Sequence, residues 1–87
     1  MIDETLTKSV LEALATVAPE LDPATVRPDE PLREQLDIDS FDFLQFIIAL
    51  AQRLSLSIPE SDYGRLTTLE ACVDYLQQRL GTQHAGL

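Results

Sequence analysis

The spacing of the apolar residues restricts the fold of this chain more than any other feature. In three stretches, residues 3–18, 40–54 and 67–80, apolar side chains recur at intervals of three and four residues. That interval places them on one face of an amphipathic helix, whereas a half-buried strand would alternate apolar and polar residues. No convincing strand pattern of that kind is present. The sequence therefore predicts an all-α protein with three main helices.

Residues that cap or stop helices mark the ends of the first two. Asp3 is placed to cap the first helix, and Pro19 is placed to stop it. Asp39 is placed to cap the second helix, with Asp42 at its third position, which is close to a capping box. The second helix is therefore expected to begin at Ser40.

Proline and glycine predict a short third helix before the last long one. Pro59 lies in the first turn of this short helix, and Gly64 ends it. Thr67 and Glu70 have the spacing of a capping box for the last helix. Gly81 is expected to close that helix.

A proline-rich loop separates the first helix from the second. Four of the five prolines lie between residues 19 and 39. A loop of this length in a small domain is usually functional or held down by apolar anchors, and residues 31–35 have the composition of one helical turn. The expected anchors are Leu21, Val26, Leu32, Leu36 and Ile38.

Together these elements predict one small domain. A chain of 87 residues fits a single hydrophobic core. We expect residues 1–81 to form a four-helix bundle of three main helices and one short third helix, with the long loop between helices one and two. Residues 82–87 are expected to form a flexible C-terminal tail.

The net charge of the chain limits the kinds of partner that it can bind. Fifteen acidic residues against six basic ones give a net charge of −9. Such a chain repels nucleic-acid phosphates and anionic membrane surfaces, so the expected partners are proteins with basic patches. The longest apolar run, residues 46–51, is too short to span a membrane, and the acidic N-terminus does not resemble a signal peptide. We expect a cytoplasmic protein, and a monomer is the default.

Ser40 has no evident catalytic partner. A nucleophilic serine needs a base within hydrogen-bond reach, and the only histidine is His84, in the predicted tail. Cys72 is the only cysteine, which excludes an internal disulfide and a cysteine-based metal site. The sequence therefore predicts no catalytic residue, and the protein is not expected to be an enzyme.

The acidic cluster around this serine does not match a metal site. Asp37, Asp39 and Asp42 resemble the start of a calcium-binding loop. The EF-hand pattern requires Gly at the sixth position and Glu at the twelfth, but Asp42 and Ile48 occupy those positions. No metal site is therefore expected.

The second helix carries more apolar surface than a helix on the protein surface needs. Taken alone, Asp39 and Ser40 before an apolar run indicate only an ordinary capped helix start. Two adjacent apolar stripes follow, and a surface helix buries one of them. Either the helix is central, or one stripe is exposed for a partner. The stripes are Phe43, Ile47, Leu50 and Leu54, and Phe41, Leu44 and Ile48.

In their order along the chain, these features resemble the acyl carrier protein family, which includes peptidyl carrier domains. An Asp-Ser-Leu sequence opens the second helix in that family, and Asp39-Ser40-Phe41 stand at that position here. The family's Ile-Pro near the third helix matches Ile58-Pro59, and its threonine-opened last helix matches residues 67–70. The resemblance covers about residues 6–80.

This resemblance implies a covalent cofactor and a set of partner enzymes. A phosphopantetheinyl transferase would attach 4′-phosphopantetheine to Ser40, with Asp39 as part of the motif and as the helix cap. The thiol of the arm would hold a thioester and present it to acyl-loading, condensing or acyl-transfer enzymes. A phosphodiester on Ser40 would lie near free backbone N–H groups, at the positive end of the helix dipole.

The chain also departs from the family pattern. Phe41 replaces the usual leucine, Asp37 replaces a frequent glycine, and Asp42 is the single acid of a helix that commonly carries several. We therefore hypothesise that partners dock on Phe41, Leu44 and Ile48, with acids such as Asp37 in the loop steering their approach. Asp42 is also expected to contact partners. These departures favour a specialised fatty acid, polyketide or related pathway.

Two functions remain open on the sequence alone. The first is a stand-alone acyl carrier protein that shuttles intermediates among separate enzymes. The second is a cofactor-free helical interaction module that docks one partner through the same stripe. Attachment of the arm to Ser40 discriminates between them.

Overall fold

The computed structural model describes the backbone of residues 4–85 and the side chains of residues 4–80. Four α-helices and two 3₁₀ helices account for the regular structure, and the described residues contain no β-strand apart from one isolated bridge. The prediction of an all-α fold with three main helices is confirmed. The elements are α1 (Glu4–Ala15), a 3₁₀ helix (Pro23–Thr25), α2 (Leu32–Gln35), α3 (Ser40–Leu54), a second 3₁₀ helix (Glu60–Leu66) and α4 (Leu69–Ala85).

The core lies where α1 packs against α3 and α4, while the second 3₁₀ helix packs on α4. The 3.6-residue period explains the buried face of each helix, because residues three and four apart stack on one side. The fully enclosed side chains with the largest volumes are Tyr75, Phe46, Leu14, Leu32, Ile47, Leu50, Leu66, Leu76, Val10 and Cys72. Their burial removes the main apolar surface of all three long helices from water.

Helix α1 ends earlier than the sequence predicts. It stops at Ala15 rather than at residue 18. The Thr16 hydroxyl donates to the carbonyl of Ala13 at 2.6 Å, and the Val17 N–H donates to the carbonyl of Leu14 at 3.1 Å. These bonds three residues apart interrupt the α-helical pattern, because a threonine hydroxyl competes for backbone carbonyls. One α-type bond follows, from the Ala18 N–H to the carbonyl of Leu14 at 2.9 Å. Asp3, the predicted cap, lies outside the described residues.

The long loop is held in place by its predicted anchors. Leu32 is completely buried, Ile38 is nearly so, and the other predicted anchors are half-buried against the core. Backbone bonds add to this, since the N–H of Glu70 donates to the carbonyl of Pro28 at 3.0 Å. The loop is therefore a packed segment that ends in the short helix α2, as its composition predicts.

The cap of α4 differs from the predicted one by one residue. The Thr68 hydroxyl, not that of Thr67, accepts the N–H of Ala71 at 3.0 Å. Thr67 instead offers its carbonyl to the N–H of Leu32 at 2.8 Å. The backbone of Thr67 thus joins α2 to the start of α4, and its side chain is not needed as a cap.

The short third helix is a 3₁₀ helix that continues past Gly64, the residue predicted to end it. Gly64 does not adopt the left-handed conformation that would stop a helix. The segment is fastened to α4 by side chains: Tyr75 Oη donates to Asp62 Oδ2 at 2.6 Å, and Arg79 Nη1 donates to Tyr75 Oη at 2.7 Å. These bonds hold the second 3₁₀ helix against α4.

Helix α4 continues past Gly81, which was predicted to close it, and reaches Ala85. Gly81 has helical conformation there, so it does not act as a terminating glycine. The flexibility of residues 82–87 and the domain boundary at residue 81 remain predictions. Within the described part of the chain, no helix combines the length and the apolar character needed to cross a membrane.

Candidate functional site

Ser40 is the first residue of α3, and its side chain is exposed. The cap beside it is the predicted one: Asp39 Oδ1 accepts the N–H of Asp42 at 2.8 Å. The carbonyl of Asp39 accepts the N–H of Phe43 at 2.9 Å. Because the Asp39 side chain caps α3, the first turn of the helix is fixed. The exposed Ser40 hydroxyl therefore has a defined position.

The turn before Ser40 fixes its direction. Asp37 has φ = 52°, which is the left-handed region, and its side chain is exposed. The N–H of Ile38 then donates to the carbonyl of Arg33 at 3.1 Å, and the Ile38 side chain enters the core. One buried residue and one capping residue therefore precede the exposed serine. The left-handed turn also explains why glycine suits position 37 and why aspartate is among the few side chains tolerated there.

The N-terminal end of α3 suits an anionic group such as a phosphate. The first N–H groups of a helix have no partner within the helix, and the Asp39 side chain satisfies that of Asp42. The N–H groups of Ser40 and Phe41 are left to interact with solvent or a ligand. Such donors, together with the positive end of the helix dipole, stabilise an anionic group.

A groove of about 780 Å³ opens beside Ser40. It lies between α2, the start of α3 and the second 3₁₀ helix, and more of its exposed surface is apolar than polar. Phe43 and Leu44 form its α3 side, and Tyr63 and Gly64 form the opposite side. The remaining lining residues are Pro31, Arg33, Glu34, Asp37, Ile38 and Thr67.

The structure leaves one of the two predicted apolar stripes of α3 exposed. Phe41 is 65% exposed, Leu44 is 37% exposed and Ile48 is 40% exposed. The other stripe faces the core, with Ile47 and Leu50 buried. The exposed stripe begins next to Ser40 and follows α3 for two turns. Asp42, at the start of the same helix, is half-buried.

Two residues of this region were missed by the sequence reasoning. Phe46 is completely buried but belongs to neither predicted stripe, because α3 buries a wider arc than one stripe provides. Arg33 lines the groove, and its guanidinium carbon lies 6.0 Å from the centre of the Phe43 ring. Residues 31–35 were predicted only as a helical turn, and no local pattern indicates that Arg33 faces the groove.

Cys72 lies away from this site and is enclosed in the core. Its Sγ donates to the carbonyl of Leu66 at 3.4 Å. Burial raises the pKa of this thiol to about 12, because the charged thiolate would lose its hydration. Cys72 is therefore a core residue and a poor nucleophile.

Comparison with known proteins agrees with this geometry. The family model described as "Phosphopantetheine attachment site" matches residues 8–76. An acyl carrier protein of Rubrobacter xylanophilus is 34% identical over 56 residues, which cover 64% of this chain and 69% of that protein. The solution structure of a candidate acyl carrier protein from Anaplasma phagocytophilum superposes with a TM-score of 0.78 at 24% identity, covering 91% of this chain and 92% of that chain. That structural match supports the fold.

The exposed serine at a capped helix end and the acidic helical bundle agree with the family that the comparisons show. The chain belongs to the acyl carrier protein family, whose cofactor is covalently attached 4′-phosphopantetheine. The family works with a phosphopantetheinyl transferase and acyl-processing enzymes. In this family, the attached arm supplies a thiol that holds the acyl group.

Proposed function

We propose that this protein is a stand-alone carrier that holds acyl or related intermediates on a 4′-phosphopantetheine arm attached to Ser40. The observation that carries this proposal is the position of Ser40: exposed, first in α3, and directly after the Asp39 cap. The cofactor of the family needs a hydroxyl that another enzyme can reach, and this hydroxyl stands free at the helix end. The family match disfavours the alternative of a cofactor-free interaction module.

Attachment is tested by intact mass after incubation with coenzyme A and a broad-specificity phosphopantetheinyl transferase. We expect the wild-type chain to gain the mass of one arm and Ser40→Ala to gain nothing. Ser57→Ala is the matched control, because Ser57 is exposed but lies beyond the far end of α3. A loaded Ser40→Ala variant, or a wild-type chain that several transferases leave unmodified, would contradict the proposal.

Partner enzymes are proposed to dock on the exposed stripe Phe41, Leu44 and Ile48. An apolar surface next to the attachment residue would be covered when an enzyme reaches the arm. Asp37 and Asp42 flank the start of this stripe and would steer basic partner surfaces toward it. The low acid content of α3 favours a specialised fatty acid, polyketide or related pathway.

We also propose that the protein is a monomer and that it is located in the cytoplasm.

The stripe is tested with Phe41→Ala. Truncating an exposed anchor residue removes apolar contact with a partner and costs little folding stability, because 65% of this side chain already faces solvent. We expect the rate of acyl loading by a cognate enzyme to fall about tenfold or more, which corresponds to a loss of about 1.4 kcal/mol or more. The thermal midpoint of the variant should stay close to that of the wild type.

The control for this experiment is Gln52→Ala, an exposed position on the last turn of the same helix. This variant should be loaded at the wild-type rate. Normal loading of Phe41→Ala by every cognate enzyme would contradict a docking role for the stripe.

A further inference from the structure

Within the part of the chain that the structure describes, Arg33 differs from the other arginines in having no polar partner for its side chain. Arg27 and Arg53 form ion pairs with acidic residues at 2.8 and 3.4 Å. Arg65 donates to Gln78 at 2.8 Å, and Arg79 donates to a tyrosine hydroxyl and a backbone carbonyl. Within the described residues, the Arg33 guanidinium forms no ion pair and no side-chain hydrogen bond. Its five N–H donors are therefore free to interact with solvent or a ligand.

The position of this guanidinium is nonetheless defined. It lies 6.0 Å from the centre of the Phe43 ring, at the outer limit of a cation–π contact. At this distance from the ring, the N–H donors of the guanidinium remain available for a second interaction. The backbone of Arg33 is also held, because its carbonyl accepts the N–H of the buried Ile38.

Among the residues that the structure describes, Arg33 is also the only cation that lines the groove beside Ser40. The other charged residues of the lining are Glu34 and Asp37, and neither forms an ion pair with it in the described structure. The lining therefore has a net charge of −1 before any arm is attached. A phosphodiester on Ser40 adds one further negative charge at the wall of the same groove, and among the described lining residues Arg33 carries the one positive charge that can attract it.

We propose that Arg33 is a positioning residue that binds the phosphate of the arm and holds the arm along the groove. This inference rests on the proposed attachment at Ser40. The guanidinium donates to the non-bridging phosphate oxygens, a geometry for which arginine is better suited than lysine. The N–H groups at the start of α3 bind the same phosphate from the helix side. Phe43 and Tyr63, which line the groove, are the apolar surface beside the following part of the arm.

The first test compares the wild-type chain before and after loading by NMR of the arginine Nε–Hε groups. We expect the Arg33 resonance to shift on loading and its exchange with water to slow. The Arg53 resonance serves as the internal control, because Arg53 lies at the other end of α3 and pairs with Glu12. An Arg33 resonance that is the same in both forms would overturn the proposal.

The second test is a double-mutant cycle between the arm and Arg33. Urea unfolding is measured for apo and loaded chains of the wild type, Arg33→Gln and Arg53→Gln. The quantity compared is the unfolding equilibrium constant of the loaded chain divided by that of the apo chain. This ratio should be about two- to five-fold higher for Arg33→Gln than for the wild type, which is the range for a partly exposed ion pair. Arg53→Gln removes the same charge and should respond to loading as the wild type does.

The phosphorus-31 shift of the loaded chains gives a readout that stability alone does not provide. We expect it to change in Arg33→Gln, to be partly restored in Arg33→Lys, and to be unaffected in Arg53→Gln. A wild-type chain that cannot be loaded overturns both this proposal and the proposed function. A loaded chain with equal phosphorus shifts and equal responses to loading in all variants overturns the role of Arg33 alone.

Discussion

At the scale of single residues, Cys72 shows how burial changes chemistry in this molecule. Its side chain has no exposed surface, and its thiol proton faces the carbonyl of Leu66. The folded chain therefore holds this proton up to a pKa of about 12, whereas a solvated cysteine loses it near pH 9. Between these values the unfolded chain releases a proton that the folded chain retains.

This difference predicts a loss of stability at high pH. Because the Cys72 thiol has the higher pKa in the folded chain, its contribution to the free energy of unfolding is constant below pH 9. That contribution becomes unfavourable as the pH rises toward 12. The expected loss from Cys72 is about 1 kcal/mol per pH unit in this window. Urea unfolding at several pH values above 9 measures it. Cys72→Ser is the comparison, since a serine does not ionise there. Equal pH slopes for the two chains would contradict the assignment.

Asp37 shows a different way in which a single residue shapes the site. The sequence indicates only that an acid stands where glycine is frequent in the family. The structure supplies the reason, because the backbone at this position is left-handed, with φ = 52°. Aspartate tolerates that conformation better than most side chains, so the turn before Ser40 is retained while a negative charge is added.

At the scale of elements, α3 combines the attachment site, the exposed stripe and part of the core. Its C-terminal end has a Schellman motif: the Leu56 N–H donates to the carbonyl of Ala51 at 2.9 Å, and the Ser55 N–H donates to that of Gln52 at 3.4 Å. Ser55 occupies the left-handed position of this motif with φ = 52°. Glycine is the usual residue there, because it has no Cβ to strain the backbone.

Replacing Ser55 with glycine should therefore stabilise the protein. We expect Ser55→Gly to raise the free energy of unfolding by about 1 kcal/mol, measured by urea or thermal denaturation. Ser57→Gly is the matched control, because Ser57 is also exposed but does not have a positive φ. It should be neutral or slightly destabilising. A Ser55→Gly chain that is less stable than the wild type would contradict the strain assigned to this position.

At the scale of the whole molecule, the sequence predicts the helices well and their boundaries less well. Helical spacing places α1, α3 and α4, because each buries a face that must repeat with the helical period. The end of α1 depends on a competing threonine hydroxyl, and the cap of α4 depends on where Thr67 bonds across the fold. Gly64 and Gly81 do not stop their helices, since a glycine permits a left-handed turn without requiring one.

The candidate site, like the fold, is only partly predictable from the sequence. The Asp39 cap and the exposure of Ser40 can be expected from adjacent residues, because capping is a local interaction. The groove cannot, since its walls come from α2, α3 and the second 3₁₀ helix. Arg33 lines the groove only because these elements pack together. Tertiary contacts, and not local patterns, therefore decide which residues surround the serine.

The central claim is that Ser40 carries the arm, and a peptide map tests it most directly. Trypsin cleaves after Arg33 and Arg53, and residues 34–53 contain Ser40 as their only hydroxyl-bearing residue. After loading with coenzyme A and a transferase, the entire mass gain should appear on this peptide and on no other. A gain on any other peptide, or a folded chain that gains nothing, would contradict the claim.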